Sequence, residues 1–322
     1  MTKRIDISYR TVIFITVFLT LLWVVFKIID IILLFFVAFI FMSALSPLVE
    51  KLTKFKIPRV VAVLFVFILV LAAIISLFTI GLTPLITQTS SLSQKLIDVT
   101  DTLLKAHIID QSVIKQELSG LSGQLVNITM DVFKNFIALV STMVITIYMM
   151  LDRKKIEDYG TSFFGSRQDQ AQVLLRRIED KLGAWLRGQI ILSFVIGICV
   201  YVGLTVLGIE FALPLAIIAG LLEVVPVLGP IISAIPAVLI ALTVSPVFAL
   251  LIAGFYLAVQ QLEGHLIVPQ VMKRAVGLNP LLVILAVSVG SRLLGIGGAL
   301  LAVPIAVVIQ LVIQEGLKAH EG

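Results

Sequence analysis

Two ionisable residues stand within apolar stretches where charge is costly, Glu223 and Arg292. Such a group deep in hydrocarbon costs about 2.5–3.5 kcal/mol by insertion scales, so it needs a partner or water. Each sits at an interruption. Glu223 opens Glu223-Val-Val-Pro226-Val-Leu-Gly229-Pro230, and Arg292 lies within Gly290-Ser291-Arg292-Leu-Leu-Gly295-Ile-Gly297-Gly298. Opposite charges at corresponding places suggest an ion pair, or a site for a substrate and a proton. Alternatively, each lies at the interface near water and does structural work. Gln260, Gln261, Glu263 and His265 form a second cluster, in which Gln260 and Glu263 share a helix face. Their carboxylate and amide oxygens could gate a pathway or coordinate a monovalent cation, or they could be an interfacial anchor. The candidate pathway residues are Glu223, Pro226, Gly229, Pro230, Gln260, Glu263, Asn279, Ser291, Arg292 and Gly297. His265 precedes Pro269 and is expected in a turn, with His107 and His320 in other regions, so no metal site is expected. There is no phosphate-binding Gly-Lys loop, no Gly-x-Ser-x-Gly elbow and no His-Glu-x-x-His helix. Neither an enzyme nor a cofactor is indicated.

The elements that must position these groups are membrane helices. The chain is 60% hydrophobic and 13% charged over 322 residues, where a soluble domain carries about 25% charged residues. Val12 to Phe26, Ile31 to Met42, Val60 to Ile80 and Ile190 to Leu207 contain no charge, and a span needs roughly 20 apolar residues. The apolar stretch from Thr11 to Leu48 is too long for the core of a cleavable signal, and it reads as the first spans. The single cysteine, Cys199, rules out an internal disulfide. The net charge of +5 resides in short loops between spans. There it sets topology, and it does not suggest a nucleic-acid partner.

Read in order, residues 1–84 are N-terminal transmembrane helices. Thr11 to Phe26 and Ile31 to Leu45 form either a tight hairpin or one long bent pair. Lys51, Lys54, Lys56 and Arg59 follow, and Lys3, Arg4 and Arg10 precede, so both ends and the N-terminus are expected in the cytoplasm of a plasma-membrane protein. Residues 85–131 carry apolar residues at helical spacing in a polar, slightly acidic setting, which predicts an amphipathic extracytoplasmic helical lobe. Residues 132–189 hold a span, Val132 to Leu151, and then a charged cytoplasmic helix expected to lie on the membrane surface. Residues 190–322 form the expected transport core. There Phe211 to Val225 with Ile231 to Thr243, and Pro280 to Val289 with Ala299 to Gln314, are short apolar pairs split by Gly and Pro. Irregular backbone in lipid survives only when covered by protein or lining a wet cavity, so the pairs read as re-entrant or broken hairpins. Gly229 to Pro236 and Gly297 to Pro304 share a Gly and a Pro seven residues apart, and similar units entering from opposite faces make an inverted repeat. The fold class expected is all-α, polytopic and transmembrane.

Several ordered stretches carry a resemblance. They are Arg187-Gly188-Gln189, Glu223 to Pro230 followed by Ala234-Ile-Pro236-Ala237, Gln261-Leu-Glu263-Gly264-His-Leu-Ile-Val-Pro269, Val276-Gly277-Leu278-Asn279-Pro280, and Gly295 through Pro304. Together with the N-terminal pair and Leu48 to Pro58, the chain resembles the autoinducer-2 exporter family, the PerM-like permeases, over nearly its whole length. Val227, His265 and Asn279 depart from the residues common in that family at these places, which puts the substrate in question. The resemblance implies transport without ATP, of a small polar solute like autoinducer-2 or of sodium or lithium against protons. It also implies a homo-oligomer, a pentamer, in the lipid bilayer. A non-transporting scaffold or channel, with the lobe as its partner-binding module, is the competing expectation.

Overall fold

The computed structural model describes residues 9–77, 79–80, 136–209, 211–225, 228–272 and 277–321. The predicted lobe at 85–131 lies outside the described residues, as do Pro226 and Val227. Every regular element among the described residues is helical. These are α1 (Tyr9–Lys27), α2 (Ile29–Lys54), α3 (Arg59–Leu77), α4 (Phe136–Leu151), α5 (Arg153–Ser162), α6 (Gln168–Val206), α7 (Ala212–Leu222), α8 (Leu228–Leu242), α9 (Pro246–Leu262), α10 (Val268–Met272) and α11 (Pro280–Glu321). Six helices among the described residues are long and apolar enough to cross a membrane. Three more, including α7 and α8, are apolar but shorter.

Of the two forms expected for the N-terminal pair, the bent one is found. Ile28 N–H donates to the Val24 carbonyl and the Ile28 carbonyl accepts from Ile32, each at 3.0 Å, so the helical ladder runs on through the bend. No residue of α1 is buried, and its apolar side chains are left for lipid or another subunit. Helix α2 contains Pro47, which lacks the N–H that would bond the Ser43 carbonyl. Arg187 on α6 supplies donors instead, to the Ser43 carbonyl at 3.3 Å and the Ala44 carbonyl at 3.2 Å. Gly183 lies against the same carbonyl, with no room for a Cβ.

Helix α6 is the central strut. The sequence reading separates a surface helix ending at Arg187 from a span starting at Ile190; the structure runs a single 39-residue helix through both. Leu182, Trp185, Gln189, Leu192, Ile196, Val200 and Leu204 are buried in one stripe whose phase never changes, so nothing ends the helix between them. At 1.5 Å per residue its length is about 58 Å, against a hydrocarbon core of about 30 Å. It stops in a Schellman turn, with Gly208 at φ +78, Gly208 N–H on the Thr205 carbonyl and Ile209 N–H on the Leu204 carbonyl.

Three apolar cores hold the helices together, two of them built on this strut. Met42, Val63, Phe67 and Met150 join α2, α3 and α4. Ile40, Leu182, Trp185, Val287 and Ala302 join α2, α6 and α11. Leu204, Leu215, Ala237, Ile252 and Tyr256 join α6 to α9. The two basic segments meet at one end of the molecule: Arg153 bonds Glu50 and the buried Glu179, and Arg177 bonds Glu315 near the C-terminus at 3.0 Å.

Both short pairs of the C-terminal third double back. α7 and α8, of 11 and 15 residues, pack together, with a turn opening at Glu223–Val225 after α7. α11 is interrupted at Leu294 (φ −134, ψ 17) and Gly295 (φ 61, ψ −140). Residues eight apart in a continuous helix are about 12 Å apart along its axis. Here a Cβ on Gly290 would overlap the Gly298 carbonyl, so the two arms touch backbone to backbone. The entering arm, 280–293, is about 21 Å long at 1.5 Å per residue.

Candidate functional site

Glu223 caps the C-terminal end of α7, its N–H on the Ala219 carbonyl, where the chain turns toward α8. Gly229 sits where a Cβ would overlap the Leu222 carbonyl, so this turn can close only on glycine. Glu223 itself is 1% exposed. Small residues bring α6 close beside it: Gly220 lies against the Ser193 carbonyl and the Gly197 Cα, and a Cβ there would be 2.8 Å from that oxygen. This approach lets Gln189, also 1% exposed, donate from Nε2 to the Glu223 carbonyl at 2.6 Å.

The ionisable group beside the Glu223 side chain is another carboxyl. Glu263 faces it and is 8% exposed. Glu263 begins a wide π-turn, Glu263–Ile267, in which its carbonyl accepts from Val268 N–H. That turn ends just before Pro269, whose ring would clash with the His265 carbonyl in an unbroken α-ladder. Upstream, Ala249, Ile252, Tyr256 and Val259 are buried on the stripe that leads to Glu263. Both Glu223 carboxyl oxygens and Glu263 Oε2 are buried without a hydrogen-bond partner among the described residues, as are Tyr256 Oη and Ser193 Oγ. Buried polar groups of this kind demand a proton, an ion or water. Two carboxyl groups in contact away from water are stable only with a proton or a cation between them.

The structure thus joins Glu223 to Glu263, two candidates that the sequence reading assigned to separate clusters. No ion pair among the described residues joins Glu223 to Arg292, and Arg292 is exposed on the chain. Gln260 is half-buried beside Glu263, and Gln261 is exposed. Pro230 lies in the first turn of α8, its carbonyl accepting from Ser233 Oγ at 3.0 Å. Asn279 caps α11, with Oδ1 accepting from Leu281 N–H at 2.9 Å and Pro280 next in the chain. Ser291 Oγ donates to the Ser288 carbonyl at 2.9 Å. Gly297 has open space around it, and the glycine that seals the second hairpin is Gly298. Gln189, quoted from the sequence only within the Arg187-Gly188-Gln189 stretch, is the site residue absent from the candidate pathway residues. Its signal is an amide at the mouth of the charge-free run from Ile190. Among the described residues, no group of three or more His, Cys, Asp or Glu could hold a metal.

The family model for AI-2E family transporters matches residues 12–318. The chain is 28% identical to YrrI of Bacillus subtilis (strain 168) over 295 residues, covering 85% of this chain and 83% of the relative. It is 28% identical to MT0215 of Mycobacterium tuberculosis (strain CDC 1551 / Oshkosh) over 319 residues, 92% and 86% of the two chains. It is 26% identical to the AI-2 transport protein TqsA of Escherichia coli (strain K12) over 305 residues, 89% and 86% of the two. Six candidate spans among the described residues and a match of this extent agree: the chain is a multi-pass membrane protein of the AI-2E transporter family, a transport protein rather than an enzyme.

Proposed function

We propose that the protein is a secondary transporter that exports a small polar solute of the autoinducer-2 kind, driven by an ion gradient across the plasma membrane. The observation that carries this reading is the buried Glu223–Glu263 contact at the turn of the first broken hairpin. A carboxyl pair that must hold a proton or a cation can load on one side of the membrane and unload on the other. Gln189 and the π-turn fix the two carboxyl groups from separate helices, so movement of α7–α8 against α9 changes their separation. Gly229 and Pro230 shape the turn. Gln260, Ser291 and Arg292 offer polar groups along the path, and Asn279 and Gly297 belong to the entrance and tip of the second hairpin. The two hairpins act as an inverted repeat within residues 190–322. Basic residues at both ends of the bent pair favour a cytoplasmic N-terminus, and the unburied apolar α1 suits a homo-oligomer, for which the pentamer is our working assembly.

Proteoliposomes loaded with an autoinducer-2-like sugar and given a pH gradient test this. Accumulation that the gradient drives, and that Glu223→Gln abolishes, supports the reading; no movement of this or other small polar solutes overturns it. The same carboxyl pair favours a second reading, exchange of sodium or lithium for protons. Everted vesicles carrying a pH-sensitive dye separate the two, because only an antiporter answers a sodium or lithium pulse in the absence of solute.

A further inference from the structure

At the end of the molecule where the basic segments meet, the ends of α2 and α4 and the beginnings of α3, α5 and α6 enclose a cavity of about 360 Å³. Four cations line it, Arg59, Arg153, Lys154 and Arg176, against two carboxylates, Glu50 and Glu157. The carboxylates do not use up the donors. Arg59 spends Nη2 on the Met150 carbonyl at 2.8 Å, and Arg176 spends Nε on Glu157 at 2.6 Å. Lys154 has no partner among the described residues. Arg153 Nε is buried and unpartnered, although the rest of that guanidinium bonds Glu50 and Glu179. Burial works against the charge on Arg153, but the two glutamates outweigh it and hold the group above its ordinary value. The remainder of the wall includes apolar Val49 and Met150. Leu48 and Val60, at the ends of adjoining spans, expose apolar surface.

We infer that this cavity binds a phosphate ester of net negative charge. Guanidinium groups with spare N–H donors match phosphate oxygens, and a lysine adds a point charge. A cavity at the end of three spans lies at the depth of lipid headgroups, where basic pockets between helices take anionic lipids. The phosphate could belong to a lipid headgroup or to a soluble ester, and the experiment separates the sources.

The full chain, purified in detergent, is titrated with dioctanoyl-phosphatidylglycerol, with the matching phosphatidylcholine and with glycerol 3-phosphate, and thermal unfolding is followed. Stabilisation by phosphatidylglycerol alone identifies a headgroup; stabilisation by glycerol 3-phosphate, alone or as well, identifies the soluble ester as sufficient. Either supports the inference. No stabilisation by either, or equal effects of phosphatidylcholine and phosphatidylglycerol, overturns it. The K154Q/R176Q double variant is expected to weaken the stabilising ligand at least about fivefold. K51Q/K54Q, which removes the same charge from exposed residues outside the cavity, leaves it unchanged. Equal losses in the two double variants would reduce the effect to general attraction and sink the proposal. Should K154Q/R176Q fail to fold, K154Q alone is read, since Lys154 is exposed and holds no other residue in place.

Discussion

Glu223 and Glu263 come from different helices, yet their carboxyl groups meet in a place that water does not reach. Glutamine is isosteric, so it keeps the packing while removing the proton carrier. E223Q is expected to lower coupled transport at least about tenfold while thermal stability holds, since the like-charge conflict is gone. A fully active E223Q would exclude the residue as carrier. Gln189 should behave differently. Q189L leaves the buried Glu223 carbonyl unsatisfied, a loss of about 1–3 kcal/mol, seen as earlier unfolding in detergent. Arg187 permits a sharper test, because its role answers a defect elsewhere. R187A orphans the Ser43 carbonyl, and P47A restores the missing N–H. The double variant should therefore be more stable than the sum of the single effects, by about 0.5–3 kcal/mol. Strict additivity would show that Arg187 acts in some other way.

The elements of the C-terminal third depend on glycine for closure. Gly298 in the second hairpin lies against the Gly290 backbone, while Gly297 beside it meets nothing. G298A should destabilise by about 1–3 kcal/mol through overpacking. G297A should be neutral or slightly stabilising, as expected of alanine in a helix. Comparing their melting temperatures tests whether the arms really touch, because an uninterrupted helix would tolerate both changes alike. Gly295, at φ 61 and ψ −140, makes the reversal itself possible, and any side chain there meets backbone strain of about 1–3 kcal/mol.

At the scale of the whole molecule, Arg153 ties α2, α5 and α6 together at the basic end. Glu179 is buried and Glu50 is mostly exposed. R153A strands a buried carboxylate and should cost about 3–5 kcal/mol, whereas E50A removes a surface partner worth about 0–1 kcal/mol. Fluorescence-detected size-exclusion profiles after heating measure the difference. Equal tolerance of the two changes would mean that the joint does not hold the helices together. The Arg177–Glu315 pair links the C-terminal arm to the same end, but both side chains are partly exposed, so its contribution to stability is small. Its value is geometric: the C-terminal arm returns to the end where the basic loops gather.

Apolar runs longer than a bilayer core, basic loops between them and Gly-Pro interruptions are local properties, so the sequence by itself determined a helical membrane protein whose last third is broken. The family could be read for the same reason, from short ordered motifs that need no contact to be seen. Tertiary structure alone decided which polar groups meet. Charge complementarity suggested Glu223 with Arg292, but side-chain partners depend on helix rotation and close approach, set here by Gly220 against Ser193 and by the π-turn before Pro269. The continuity of α6 through Arg187 was likewise decided by packing, because its buried stripe is shared among neighbours from opposite ends of the chain.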